Sequence, residues 1–255
     1  MSRALLSVLA IALEMADDLA MPPVTARARV RAELTEEILA AARRQLAEHG
    51  SAALSLRAVA REVGMVSSAV YRYFPSRDDL LTALIVDAYD SLGDAVERAE
   101  AKVGRTKYLE RWMTICRAVR AWALAHPHEY ALIYGSPVPG YRAPVTTIGP
   151  ATRVALVLVQ LLIDAQRDGA LAEPRPLTRS PKALAADLDR LADAFAGVSE
   201  STMVHALVAW ASVYGTVSFE LFGQFHNVIA ANVQYFDVAM AELATFVGIP
   251  NRASK

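Results

Sequence analysis

The stretch LSLRAVAREVGMVSSAVYRYFPSRDDL, residues 54–80, decides the fold, because it carries the pattern of two short helices joined by a sharp turn. Gly64 supplies the left-handed conformation that ends the first helix, and a second short helix is expected to begin near Ser67. Ala60 is the small residue needed where the helices cross, and Val70 is the apolar anchor after the turn. The spacing predicts a helix-turn-helix.

Longer helices are predicted on both sides of this motif. Residues 26–49 place leucine, isoleucine and alanine on one face at helical spacing, and Gly50 ends the pattern. Pro75 breaks the second short helix, and Ser76 with Asp79 forms a variant of the capping box that begins a helix over about 77–102.

The rest of the chain also has helical periodicity, which predicts an all-α fold. Helices are expected at about 106–126, 129–135, 150–168, 182–196, 201–223 and 226–247. The prediction is an N-terminal three-helix helix-turn-helix domain followed by a larger helical domain. Its boundaries are residues 1–25 for an extension, 26–76 for the first domain and 77–250 for the second.

The charge distribution separates these two domains. The net charge is −1, yet residues 26–77 hold nine arginines and five acids. The remainder is therefore acidic. A basic segment that contains a helix-turn-helix favours double-stranded DNA as its partner.

Composition excludes several other classes. Cys116 is the single cysteine, so there is no internal disulfide and no zinc site built from cysteines. No uninterrupted apolar run has the roughly 18 residues of a membrane span, so we expect a cytoplasmic protein that does not enter a membrane. Residues 1–20 resemble a signal peptide only in part, and we expect a helical extension or a start codon assigned upstream of Met21.

The quoted stretch, with ILAAARRQLAEHG (38–50), resembles the tetracycline-repressor (TetR) family of bacterial transcriptional regulators. The likeness covers roughly residues 33–88. The segments RAWALAHPHEYALIYGSPVPGY (120–141) and WASVYGTVSFELFGQF (210–225) resemble a subgroup whose C-terminal domain carries a Trp-His-Gly element. Two residues depart from the pattern: Tyr214 replaces the histidine of the subgroup, and Val66 replaces a serine that faces DNA.

The chemistry of the second short helix agrees with DNA recognition. Arg72 can bind guanine through two hydrogen bonds or bind a phosphate, and Phe74 is expected to point inward. Small residues at the start of this helix would let the backbone approach the bases. The predicted DNA-binding residues are Ser55, Arg57, Ser67, Ser68, Ala69, Tyr71, Arg72, Tyr73 and Arg77. Two readings stay open for Arg27, Arg29 and Arg31: a basic arm that reaches the minor groove, or a solvated helix face.

Enzymatic function is not expected. His126, His128 and Glu129 are potential metal ligands, but residues two apart on a helix point in different directions, and no further ligand cluster supports them. Phosphate-binding glycine loops and nucleophile motifs are absent from the sequence. We expect no metal and no cofactor.

The resemblance implies an N-terminal helix-turn-helix DNA-binding domain and a larger helical ligand-binding and dimerisation domain. Together they imply a homodimeric repressor that a small apolar effector releases from a palindromic operator. A regulator or activator that responds to no ligand is the alternative. The predicted pocket residues are Trp112, Cys116, Trp122, Tyr130, Tyr134, Phe195 and Trp210. Apolar periodicity near the C-terminus predicts a dimer interface that contains Val213, Val217, Leu221, Ile229, Val233, Phe236 and Met240.

Overall fold

The computed structural model describes residues 25–177, 181–195 and 197–250, and these residues form helices and no strand. The helices are α1 (Ala26–His49), α2 (Leu56–Glu62), α3 (Ser67–Val70), α4 (Arg77–Glu100), α5 (Tyr108–Ala125), α6 (Pro127–Tyr134), α7 (Ile148–Arg167), α8 (Lys182–Leu191), α9 (Glu200–Leu221) and α10 (Asn232–Phe246). The predicted all-α fold is confirmed. The predicted extension over residues 1–20 lies outside the described residues.

The described chain divides into two compact units. The first unit contains residues 25–90 and 126–151, and the second contains residues 91–125 and 152–250. The division falls within α4 and within α7, so it differs from the predicted boundary between residues 76 and 77. The start of α4 is marked by local sequence signals, whereas the packing of its first half on the helix-turn-helix depends on residues distant in the chain.

The first unit is held together by one apolar core. Ile38 from α1, Val59 from α2 and Val70 from α3 are completely buried, and Leu80 and Leu81 from α4 join them. Burial of these side chains fixes the short helices α2 and α3, which are too short to be stable in isolation.

Helix α5 forms the centre of the second unit. The indole of Trp112 donates a hydrogen bond to the carbonyl of Met240 in α10 at 2.8 Å. The guanidinium of Arg120 forms an ion pair with Glu220 in α9 and lies 5.5 Å from the ring centre of Phe236. Helices α9 and α10 therefore both pack against α5.

This packing corrects part of the predicted dimer interface. Val213, Val217, Phe236 and Met240 are at most 2% exposed in the single chain, so they cannot line a surface that a second chain contacts. Leu221 and Ile229 are half-buried, and only Val233 is largely exposed, at 54%. Helical periodicity identifies an apolar stripe but does not tell whether the same chain or another one covers it.

Two apolar helical segments have the length and hydropathy of a membrane span. They cover Val145–Arg167 and Glu200–Leu221, with a mean hydropathy of 1.6 and 1.2. Both contain charged residues, and Arg153 in the first forms an ion pair with Glu97 of α4. Length and composition alone are weak evidence for a span, because the core helices of a soluble protein meet the same criteria.

Candidate nucleic-acid interface

The turn between α2 and α3 has the predicted geometry. Gly64 has a φ of 67°, the left-handed conformation that favours glycine, and the amide of Met65 donates to the carbonyl of Ala60 at 2.8 Å. Ala60 is 1% exposed and Val70 is fully buried. The crossing residue, the turn glycine and the anchor are therefore confirmed.

Helix α3 presents an exposed edge of mixed chemistry. Backbone hydrogen bonds continue its helical path to Phe74, whose amide donates to the carbonyl of Val70 at 3.0 Å. Phe74 is 7% exposed, which confirms that it points inward. Val66, Ser68, Tyr71 and Arg72 remain exposed, while Ser67 and Ala69 are half-buried. A hydroxyl, a phenol and a guanidinium thus lie on the accessible side of the helix.

Tyr73 lies in a different environment from Tyr71. It is half-buried against the core of the first unit, and the guanidinium carbon of Arg31 lies 5.0 Å from the centre of its ring. Arg31 also donates a hydrogen bond through Nη2 to the carbonyl of Arg72 at 3.4 Å. Sequence reasoning missed this contact, because 41 residues separate the partners and no local pattern connects them.

Arg77 has a structural role that the sequence did not predict. Its guanidinium donates to the carbonyl of Ser51 at 2.7 Å and to the carbonyl of Leu54 at 3.2 Å. Together with a further bond from Nη2 to the carbonyl of Ala52 at 3.4 Å, these bonds tie the first turn of α4 to the segment before α2, so Nε and Nη2 of the guanidinium are already in use. A phosphate contact by Arg77 remains a prediction, and the observed bonds join α4 to the segment before α2.

The residues around the start of α2 are arranged differently. Ser55 precedes the helix and is half-buried, but its side chain forms no capping hydrogen bond. Arg57 in the first turn is exposed. Val66 precedes α3 and also provides no side-chain cap, which follows from its apolar side chain.

Several arginines near α2 and α3 are not neutralised. Arg43 pairs with Asp87 and Glu36, and Arg44 pairs with Glu62. In contrast, no ion pair to another described residue is formed by Arg57, Arg61 or Arg72, and all three are exposed. An exposed helix edge with uncompensated positive charge is suited to phosphates and to the acceptor groups of base edges.

The arginines at 27, 29 and 31 lie on the exposed first turns of α1, which begins at Ala26. The side chain of Thr25 caps this helix by accepting a hydrogen bond from the amide of Ala28 at 3.2 Å. From residue 26 onward the chain is therefore helical, which favours the helix-face reading over an extended arm.

The structure does not bring the predicted pocket residues together in one unit. Tyr130 and Tyr134 belong to the first unit, with ring centres 5.1 Å apart. Trp112, Cys116, Trp122 and Phe195 are buried in the second unit, where burial raises the pKa of the Cys116 thiol. Trp210 is 39% exposed, so it does not lie in an enclosed core, and its place in an effector pocket stays a prediction. A tryptophan in an apolar helix gives no signal of which side it faces.

The described residues contain no cluster of three or more potential metal ligands. His126 and Glu129 approach each other, with 3.7 Å between Nδ1 and Oε1. The second unit does contain an open groove of about 580 Å³ between α9 and α10, lined by Ser212, Thr216, Tyr235, Ala239, Glu242, Leu243, Thr245 and Phe246.

Two family profiles match the chain. The profile described as bacterial regulatory proteins, tetR family, matches residues 38–84, which include α2 and α3. The profile described as tetracyclin repressor-like, C-terminal domain, matches residues 112–243. The two matches fall on either side of the middle of α4.

Individual relatives agree with these profiles. The HTH-type transcriptional regulator Rv1816 of Mycobacterium tuberculosis is 43% identical over 203 residues, which cover 78% of this chain and 85% of that protein. The HTH-type transcriptional repressor LfrR of Mycolicibacterium smegmatis is 42% identical over 83 residues, 32% of this chain and 42% of that protein. The crystal structure of the regulatory protein SCO4313 is 34% identical, with a TM-score of 0.71, and covers 87% of this chain and 100% of that one.

Proposed function

Because the chain belongs to the TetR family of bacterial transcriptional regulators, we propose that it is a ligand-responsive repressor in the cytoplasm. In this proposal a homodimer binds a palindromic operator, and a small apolar molecule releases it. The observation that carries the DNA-binding part is the exposed edge of Val66, Ser68, Tyr71 and Arg72 on a recognition helix whose other side is buried.

The exposed surface of α9 and α10 supports the homodimer. Val208 and Phe219 on α9, and Phe222 directly after it, are between 44% and 51% exposed, and Tyr235, Val238 and Phe246 on α10 are between 38% and 63% exposed. We call these six residues the C-terminal apolar face. A soluble monomer rarely leaves so many large apolar side chains exposed on two adjacent helices, and two copies of such a face can form a four-helix bundle.

Gly215 lies on the same side of α9 and is half-buried. A Cβ atom added there would meet nothing within 4 Å in the single chain, so the packing of one chain does not require glycine at this position. Glycine destabilises a helix interior relative to alanine by roughly 0.5–1 kcal/mol. Close approach of a helix from a second chain would account for it.

The effector is supported by the size of the second unit and by the family. An opposing observation favours the alternative of a regulator without a ligand. The indoles of Trp112 and Trp122 already donate to Met240 and Ser91 within the second unit, at 2.8 and 2.9 Å. Side chains that are packed and hydrogen-bonded in this way fill a core rather than line an empty pocket.

One experiment distinguishes a ligand-responsive repressor from a regulator that responds to no ligand. The full chain is purified under native conditions, and small molecules extracted from it are identified by mass spectrometry and added back to the complex with DNA. We expect an apolar compound that lowers DNA affinity, since a ligand that favours the unbound state must weaken binding by linkage. Extracts and apolar compound libraries that leave DNA affinity unchanged would favour the alternative.

A further inference from the structure

Arg31 lies outside helices α2 and α3 and contacts the segment Tyr71–Arg72–Tyr73 at two points, the backbone carbonyl of Arg72 and the ring of Tyr73. It projects from α1, a 24-residue helix that Ile38 and Leu39 anchor in the core. From there it reaches both the ring of Tyr73 and the carbonyl of Arg72. We propose that Arg31 is a positioning residue for DNA recognition, acting through Tyr73 and the backbone of Arg72 rather than through a phosphate; this inference rests on the proposed DNA binding.

The end of α3 is held by its own backbone hydrogen bonds and by packing on the core of the first unit. The helix proper covers four residues, Ser67–Val70, and the chain continues through turns to Phe74. Val70 and Phe74 anchor it from the inside. The outward residues Tyr71 and Arg72 depend on the backbone between these anchors, and Arg31 is bonded to that backbone.

The chemistry of Arg31 suits this role. The guanidinium is planar, so it can lie over an aromatic ring while its edge donates a hydrogen bond. Carbonyls at the end of a helix lack intrahelical donors, and a cation near them is favourable. The hydrogen bond of 3.4 Å is at the long end of the range, so the ring contact carries much of the restraint.

Arg31 forms no ion pair with a carboxylate among the residues that the structure describes. Its guanidinium instead contacts the ring of Tyr73 and the carbonyl of Arg72. Arg27 lies one helical turn earlier on the same exposed side of α1 and has no such contact. Comparing variants of Arg31 with a variant of Arg27 therefore distinguishes a positioning role from the effect of positive charge alone.

The test uses the full chain and a duplex that the wild-type protein selects from a randomised pool. Affinity for this duplex and for poly(dI-dC) is measured for wild type, Arg31→Ala, Arg31→Lys and Arg27→Ala, each over a series of salt concentrations. Melting temperatures show whether each variant is folded. If wild type selects no duplex, the proposed function fails and the role of Arg31 fails with it.

We expect Arg31→Ala and Arg31→Lys to lower the ratio of specific to non-specific affinity by roughly three- to fivefold, in line with an exposed cation–π contact. The salt dependence should stay unchanged for Arg31→Lys, and Arg27→Ala should keep the specificity ratio of wild type. Lysine keeps the charge but cannot combine stacking with the edge hydrogen bond.

Two results would overturn the inference while leaving DNA binding intact. The first is an Arg31→Lys variant that binds like wild type while Arg31→Ala loses about one unit of salt slope, as expected for a phosphate contact. The second is an additive double-mutant cycle of Arg31→Ala with Tyr73→Leu, because a residue that acts through Tyr73 must lose its effect when that ring is removed.

Discussion

Arg72 is exposed at the end of the recognition helix, and its guanidinium forms no ion pair to another described residue. If it binds a guanine edge, Arg72→Ala should cost about 1–3 kcal/mol of DNA-binding free energy and relax specificity at one position in each half-site. Binding to a panel of single-base operator variants measures this. Arg44→Ala is the control, because Arg44 is already paired with Glu62. If Arg72→Ala weakens binding equally to every operator variant, Arg72 contacts a phosphate rather than a base.

Val66 is 71% exposed at the position before α3 and leaves the first amides of this helix without a side-chain acceptor. Val66→Ser supplies the acceptor, so it should stabilise α3 by about 1 kcal/mol. Hydrogen exchange of the Ser68 and Ala69 amides measures the gain. Val66→Ala removes the same apolar surface without adding an acceptor, and equal protection in both variants would argue against capping.

The exposed edge of α3 could be predicted from sequence, because each residue's side of a short helix follows from the two inward anchors Val70 and Phe74. The environments of Tyr73 and Arg77 could not. Both depend on partners more than 20 residues away, Arg31 for Tyr73 and the carbonyls of Ser51 and Leu54 for Arg77. Sequence spacing within one helix carries no information about such contacts.

At the scale of the helices, local signals predict most boundaries within a few residues, as Gly50 and the pair Ser76 and Asp79 show. There are two exceptions. The helix predicted to end at 196 ends at Leu191, and the start of α10 lies at Asn232 rather than at 226. Val228 and Ile229 continue the apolar period, but Gly223 and Asn227 adopt positive φ values of 82° and 61° and turn the chain. The spacing of apolar residues does not reveal a turn that interrupts the helix.

The join of α4, α5 and α7 within the second unit depends on a buried charge network. Arg111 is completely buried and donates to Glu100 at 2.5 Å and to Asp164 at 3.0 Å. Arg105 also pairs with Glu100 and with Asp164, both at 2.8 Å, so these carboxylates keep one cation when Arg111 is removed. Arg111→Met should therefore destabilise the protein by about 1–3 kcal/mol, the cost of leaving buried acceptors without their hydrogen-bond donor. Urea denaturation followed by tryptophan fluorescence reports on this unit, which contains all three tryptophans.

The control for that variant is Arg98→Met, whose ion pair with Asp94 is exposed and should contribute less than about 1 kcal/mol. Similar losses for both variants would mean that burial of the network has no special effect on stability.

At the scale of the whole molecule, the proposed dimer depends on the C-terminal apolar face rather than on the stripe predicted from periodicity. Phe219→Glu or Val238→Asp should yield folded monomers, because a charge in a closed helical bundle would be desolvated without a partner. Sedimentation velocity measures the oligomeric state of each variant. Val145→Asp, at a valine that is 65% exposed in the first unit, should leave the dimer intact. If all three variants form dimers as stable as those of the wild type, the interface lies on another surface.

The most direct test of DNA recognition is selection of duplexes from a randomised pool by the full-length wild-type chain, followed by sequencing. A dimer with two recognition helices should enrich a palindrome whose half-site centres are about 10–10.5 base pairs, or a multiple of that distance, apart. Arg72→Ala should enrich the same palindrome with one relaxed position in each half-site. A pool that shows no enriched sequence, or an enriched site without two-fold symmetry, would contradict the proposed operator binding.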